Sequence, residues 1–388
     1  MRGYDSHYVP GWDCHGLPIE HALFKQLGIS KDEIDQVKFR RKARRYAEKF
    51  VKVQREDFKR LGIFGDWHAP YLTMNFDYQA TILDSFRRLY EQGYIYKGEK
   101  PIHWCPSCET ALAEAELEYA EKSSDSIYVA FEIDVSASSA QNKKTAELLR
   151  HHLSQGREKI SILIWTTTPW TLPANVAVAL HPHLEYSLFS LKGNDSHLYV
   201  AEKNLVPRIS EVIDQDVSLT SWDGTQRELP GNECEGLVLH HPFIERSSRV
   251  VLADYVSSED GTGCVHIAPG HGQEDYQVGL RYSLPVLSPV NEKGEFTTDF
   301  PPAEGMHVLN ANARVIEILD ERSALLHNST FRHSYPHCWR CKNPVIFRAT
   351  KQWFLSVEHN DLRRRLLKTV NDADKTEWIP EWGKNRIL

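Results

Sequence analysis

A chain of 388 residues with 41% hydrophobic and 26% charged residues can hold two or three domains with their own cores, which excludes a disordered or fibrous protein. Its net charge of −7, from 46 Lys and Arg against 53 Asp and Glu, argues against a surface given over wholly to nucleic acid and leaves room for a local basic stripe. No apolar run is long enough to cross a bilayer, and the opening MRGYDSHYVP lacks a charged-then-apolar export pattern, so a cytoplasmic protein without a membrane partner is expected.

Near the start stands GWDCHGLPIE, Gly11 to Glu20, where an acid (Asp13) and an imidazole (His15) sit in a Gly/Pro frame suited to a fixed turn. From Phe39 to Arg60, FRRKARRYAEKFVKVQREDFKR is strongly basic, and Phe39, Ala43, Tyr46, Phe50 and Val53 recur at helical spacing. That pattern predicts an amphipathic helix whose charges suit either a solvated face or contact with phosphates. A second helical period runs through Ile82, Phe86, Leu89 and Tyr90, so roughly the first 120 residues read as helices broken by Gly and Pro.

Short β-branched and aromatic runs then take over. IYVAFEI, ISILIW and HLYVA are bounded by polar turns and mark the middle of the chain as a mostly β module. Between the first two lies SASSAQNKKTAELLRHHLSQGREK, polar except for a short helical stretch around Leu148, Leu149 and Leu153, and read as a peripheral insertion. NANARVIEILDERSALL predicts a late helix, followed by a Cys-rich turn and a Trp-rich C-terminal segment.

Four of the seven cysteines form two Cys-x-x-Cys pairs, Cys105 with Cys108 and Cys338 with Cys341. Such pairs suit one zinc ion with four thiolate ligands, because two thiolates on a tight turn can occupy two corners of a tetrahedron; reduced structural cysteines or a redox pair are the alternatives. If both pairs share a metal, residues near 108 and 338 meet in space and the chain between them is an inserted domain. Cys14, Cys234 and Cys264 have no assigned role.

Two stretches inside the β module could carry chemistry. WTTTPWTLPAN, Trp165 to Asn175, offers a row of hydroxyls, although Thr also serves an ordinary strand edge. GTGCVHIAPGHGQEDY, Gly261 to Tyr276, has glycines that permit close approach to a ligand, with His266 and Asp275 as imidazole and carboxylate; a Gly-rich turn with locally satisfied side chains is the alternative. Neither is a dinucleotide fingerprint or a Walker-type loop.

Taken together, PGWDCHGLPIE, HWCPSCETALAEAELEY, WTTTPWTLPAN, GTGCVHIAPGHGQEDY, SYPHCWRCKNPVIFRATKQWF and EWIPEWGKNRI are similar, in order and over essentially the whole chain, to the isoleucyl-tRNA synthetases, class I aminoacyl-tRNA synthetases. The resemblance implies an α/β fold: a partial class I Rossmann-type catalytic domain, an inserted mostly β editing domain and a zinc-knuckle connective segment. The expected boundaries are 1–100 for the partial catalytic domain and start of the connective segment, 101–124 and 328–350 for the knuckles, 125–327 for the editing domain, and 351–388 for the return to the catalytic domain.

By the same resemblance, Asp13 would face the ammonium of isoleucine and His15 would shape that wall of the synthetic site. In the editing pocket, Thr166, Thr167, Thr168 and Asn175 would contact the terminal adenosine and ester, His266 would bound the side-chain space, and Asp275 would hold the ammonium of a wrongly attached valine. Cys105, Cys108, Cys338 and Cys341 would bind structural zinc. The implied partners are tRNA(Ile), isoleucine and ATP with Mg2+, for a monomer. The family's His-x-Gly-His and Lys-Met-Ser-Lys-Ser motifs are absent here, so the chain reads as an internal fragment that keeps the editing part and does not form the adenylate. A free-standing deacylase acting on mischarged tRNA in trans, and an inactive tRNA- and zinc-binding fragment, are the alternatives.

Overall fold

The computed structural model describes residues 3, 7–29, 33–137, 143–222, 228–372 and 374–387, and part of the expected polar insertion (138–142) lies outside them. It divides into two compact units, Met1–Lys97 with Trp353–Leu388, and Gly98–Gln352.

The first unit opens with β1 (Gly11–Trp12), α1 (Leu17–Leu27), α2 (Gln36–Arg60), β2 (Tyr71–Leu72) and α3 (Phe76–Glu91). β1 and β2 pair in parallel, Gly11 with Tyr71 and Trp12 with Leu72. Helix α1 starts from Gly16, whose φ of 94° suits glycine, and has Pro18 in its first turn; α2 is capped by Asp35, whose carboxylate accepts from Lys38 N at 2.9 Å. The stripe that α2 buries is not the expected one. Phe39, Ala47 and Val51 are buried, the last two against Cys14 and Met74, whereas Phe50 and Val53 are exposed. At 3.6 residues per turn the expected run holds a stripe of about 80°, and the buried set lies to one side of it, turned toward Cys14 and Met74. Helix α3 forms over its apolar period, yet it buries no residue, and Ile82, Leu83, Phe86 and Tyr90 are exposed.

The expectation of helices to about residue 120 fails from Ile95 onward. There the chain forms β3 (Ile95–Cys105), β4 (Thr110–Ala111) and the start of β5 (Leu117–Asp134). Gly93, at φ 78°, turns the chain out of α3, and strand pairing of β3 with β4, at Trp104–Ala111 and Cys105–Thr110, decides the conformation that follows.

The second unit continues with α4 (Lys143–Ser154), β6 (Lys159–Thr166), β7 (Ala177–Leu180), β8 (Glu185–Leu191), β9 (Asn194–Glu202), α5 (Val206–Ile213), β10 (Val217–Thr220), β11 (Glu228–Pro230), β12 (Val238–His240), β13 (Ser247–Leu252), β14 (Cys264–Ile267), α6 (Gln273–Tyr282), α7 (Val308–Glu321), β15 (Leu325–Cys338) and β16 (Ile346–Leu355). After it, α8 (Leu362–Asn371) belongs to the first unit. One sheet of 11 strands runs β10-β8-β9-β6-β5-β12-β13-β7-β14, with β11 also on β8 and β15 also on β5.

The apolar runs of β5, β6, β8 and β9 are buried on both faces, and their alternation sorts them into two cores. Ile127, Val129 and Phe131 join Ile160, Ile162 and Ile164 in one, closed by Val308, Ala311 and Val315 of α7. Tyr128, Ala130, Leu163 and Phe189 form the other with Ile209 and Ile213 of α5. Helix α4 also contributes Leu149, fully buried, to the first core, so this stretch is not peripheral as its polar composition suggested.

These environments predict opposite outcomes in urea unfolding. Phe131→Ala, from a fully buried site, should cost about 3–5 kcal/mol. Leu83→Ser, at 69% exposure, should stay within about 0.5 kcal/mol.

Candidate functional site

The hydroxyls that follow β6 do not form a simple edge. Thr166 ends the strand, and a six-residue 3-10 segment, Pro169–Ala174, turns the chain back into β7 with all six residues buried. Thr168 N donates to Thr166 Oγ1 at 3.1 Å, and the two hydroxyls lie 3.2 Å apart. Thr171, which sequence reasoning missed, donates from Oγ1 to Thr168 O at 2.8 Å and lies 3.0 Å from His266 Nε2. Thr166, Thr168, Thr171 and His266 therefore form one polar line. Thr167 is half-buried beside it.

His266 reaches that line from β14, where it pairs with Val178 of β7. Burial pushes its imidazole down to about 4, with neighbouring His271 acting in the same direction, so the ring is neutral at physiological pH. Asn175 is fully buried; its Nδ2 donates to Ala177 O at 2.8 Å and fixes the entry to β7, while its Oδ1 has no partner. Its amide nitrogen thus anchors the turn, and its oxygen is left without a protein partner.

Asp275 stands in the first turn of α6, and its Oδ2 accepts from Ala268 N at 2.9 Å, two residues beyond His266. Tyr255 OH approaches Oδ1 at 3.4 Å. Burial pushes the carboxyl up to about 7, against the lowering by these donors. The side chain keeps some surface exposure, but desolvation outweighs its hydrogen bonds. The glycines of this stretch serve the protein's own packing: a Cβ on Gly263 would meet Glu202 Cβ at 2.3 Å, and one on Gly270 would meet Leu287 O at 2.0 Å.

The two cysteine pairs meet. Cys105 ends β3, Cys338 ends β15, and the Sγ atoms of Cys105, Cys108, Cys338 and Cys341 all lie within 4.8 Å of one another. Desolvation raises the Cys105 thiol and pushes Cys108 up to about 12. Cys338 is desolvated too, but N–H groups of Cys341 and Arg340 bring it below its usual value. Four thiolates cannot share so small a space without a cation, and at a Zn–S length of about 2.3 Å a tetrahedron has sulfur edges of about 3.8 Å, which this cluster accommodates. The donor set fits zinc.

In the first unit, Asp13 and His15 come together around Thr73: its Oγ1 lies 3.4 Å from Asp13 Oδ1 and 3.3 Å from His15 Nδ1. Gln79 Nε2 approaches His15 Nε2 at 3.1 Å. Asp13 borders a cavity of about 250 Å³ whose other walls include Trp12, Ile19, Tyr46, Phe50 and Val51. The recess sets a carboxylate beside a mostly apolar wall. No helix among the described residues is long and apolar enough to cross a membrane.

The family model for tRNA synthetases class I (I, L, M and V) matches residues 1–388. The chain belongs to that family. Among curated class I synthetases, it is 49% identical to the isoleucine–tRNA ligases of Thermotoga neapolitana and Thermotoga maritima, in each case over 100% of this chain and 39% of the relative. The chain thus spans about two fifths of the length of these relatives. Among solved structures, the P. knowlesi cytosolic leucyl-tRNA synthetase editing domain aligns at TM-score 0.38 and 12% identity, covering 55% of this chain and 97% of that one. The P. falciparum counterpart aligns at TM-score 0.39 and 12% identity, covering 54% and 99%.

The raised carboxyl makes a signed prediction. Between the usual carboxylate range near 4 and about 7, the folded chain holds a proton on Asp275 that the unfolded chain has lost, so Asp275 withdraws stability as pH rises through that window and no further above it. Asp275→Asn should gain stability relative to the parent across about pH 4 to 7 and then keep a constant lead, read from urea midpoints at each pH.

Proposed function

We propose that this chain is part of an isoleucine–tRNA ligase and that its Gly98–Gln352 unit hydrolyses valine wrongly esterified to tRNA(Ile). The observation that carries the reading is the line Thr166–Thr168–Thr171–His266, which ends two residues from the backbone anchor of Asp275. Sequence identity to the isoleucine enzymes over the whole chain supports it. The need is energetic: one missing methylene is worth only about 1–3 kcal/mol in a binding pocket, a limit for which the isoleucine enzymes are themselves the usual worked example, so a second site must remove the smaller product.

In this reading Thr166, Thr167 and Thr168 line the pocket for the terminal adenosine and ester, and Asn175 holds the turn that carries them. His266 bounds the side-chain space. A carboxyl poised near 7 is neutral or half-ionised when the site is empty, and an incoming α-ammonium favours its charged form; Asp275 thus selects a free amino group. The line contains no activated Ser or Cys nucleophile, so water is the attacking group and these side chains orient it.

Cys105, Cys108, Cys338 and Cys341 would hold zinc, which would supply a structural crosslink between two stretches of chain far apart in sequence. The numbered boundaries 101–124, 125–327 and 328–350 describe the knuckles and the editing domain in this reading, and the first unit is a partial Rossmann-type domain. Asp13 would pair with the ammonium of isoleucine, with His15 beside it. ATP, Mg2+ and attachment of isoleucine to tRNA(Ile) belong to the longer enzyme, which we take to be a cytoplasmic monomer.

The decisive assay is release of valine from valyl-tRNA(Ile) by the purified chain, with isoleucyl-tRNA(Ile) as control. Selective release that Asp275→Ala abolishes supports the reading, and release no faster than the spontaneous rate overturns it. Metal analysis should find about one zinc per chain, lost in the double variant Cys105→Ser with Cys338→Ser. A chain purified under zinc-replete conditions that carries none would refute the metal assignment.

A further inference from the structure

Thr171 lies five residues beyond Thr166, is 5% exposed, and touches two groups that decide its role. Its hydroxyl lies 2.8 Å from Thr168 O, which also accepts from Thr171 N at 3.0 Å, and 3.0 Å from His266 Nε2, so its one hydrogen can serve only one of the two. If His266 carried its hydrogen on Nδ1, the Thr171 hydroxyl would have to turn from Thr168 O to donate to Nε2, and one hydrogen bond of the line would be lost. Nδ1–H would then be a buried donor with nothing to receive it, since Nδ1 is buried and without a partner in the structure. With the hydrogen on Nε2, the contact becomes a hydrogen bond from His266 to Thr171. The remaining orphan is then an acceptor.

We propose that Thr171 is a positioning residue that holds His266 in the Nε2–H tautomer and so keeps Nδ1 bare, as the acceptor for an O–H or N–H donor of the substrate. The word substrate rests on the deacylase reading; the tautomer does not. A buried acceptor without a partner costs about 1–3 kcal/mol. Such a group belongs where a ligand completes it. Water held by the ester, or a ribose hydroxyl, has the required chemistry. Neutrality of the ring follows from its burial, so Nδ1 offers a lone pair at physiological pH. Thr166 and Thr168 extend the control outward, because the carbonyl that receives the Thr171 hydrogen belongs to Thr168, whose own N–H is tied to Thr166.

The test is a long-range 1H–15N spectrum of the whole chain labelled at histidine nitrogen, with the His266 signal identified by its loss in His266→Gln. The parent should show a protonated Nε2 and an unprotonated Nδ1. Thr171→Val, which keeps the shape and removes the acceptor, should give a mixture or the reversed tautomer, and Thr171→Ser should restore the parent pattern. Nδ1–H in the parent, or an unchanged tautomer in Thr171→Val, would overturn the proposal, and the parent spectrum decides alone if the valine variant does not fold.

In the valyl-tRNA assay, Thr171→Val should lower kcat by about tenfold or more while KM stays within about twofold, and Thr171→Ser should recover most of the rate. Equal kcat in parent and Thr171→Val would also count against the proposal. A parent chain that never releases valine would sink the deacylase reading while the spectrum still settles the tautomer.

Discussion

The antiparallel ladder between β15 and β5, from Leu325 against Val129 to Cys338 against Leu117, governs where the parts of the Gly98–Gln352 unit can be. Closing a chain loop of about two hundred residues is entropically expensive once and only slowly more so with length, and a long ladder offsets it bond by bond. At its outer end the ladder delivers Cys338 to Cys105, where Trp339 N donates to Glu116 O at 3.1 Å and Arg340 pairs with Glu116 at 2.8 Å. At its inner end, β5 runs on through Ile127 to Ile133 as a strand of the core and carries β6 beside it, with Ile127 opposite Thr166. The cysteine cluster and the threonine line are thus positioned by the same strand.

The two units differ in how their apolar residues are covered. In the second, almost every large side chain of the central strands is buried, and the exceptions are scattered. In the first, Phe64 (80%), Phe76 (76%) and Leu83 (69%) stand open. Water-facing groups of that size carry an aggregation cost when they cluster, so the solution behaviour of the chain is set by its smaller unit. The hydrogen-bonded cluster around Thr73 survives in the same unit because it depends on short local contacts between β1, β2 and their neighbours.

Sequence made the cysteine pairs, the central strands and α7 legible, because each rests on a local signal: ligand spacing, β-branched runs, a helical period. Asp275 and His266 were readable as residue types in a recognisable motif, but the pKa of Asp275 depends chiefly on its burial, which the local sequence does not show. Thr171 was not legible. Its partner is His266, on a strand far along the sequence, and nothing in the run of threonines distinguishes the one that faces an imidazole. The stripe of α2 was misread because a basic helix offers several nearly equivalent apolar faces, and only contact with Cys14 and Met74 selects Ala47 and Val51. For α4, composition indicated solvent while Ala146, Leu149 and His152 are buried and Leu148 and Leu153 pack against the core.

The ends of the second unit leave along neighbouring strands, β3 and β16, which sit side by side in a three-stranded sheet with β4. A module tethered in this way behaves as a cassette: its host needs to bridge only the spacing between two adjacent strands, and removing or exchanging the module leaves that spacing unchanged. Size and chemistry inside the cassette can then diverge without renegotiating the host fold.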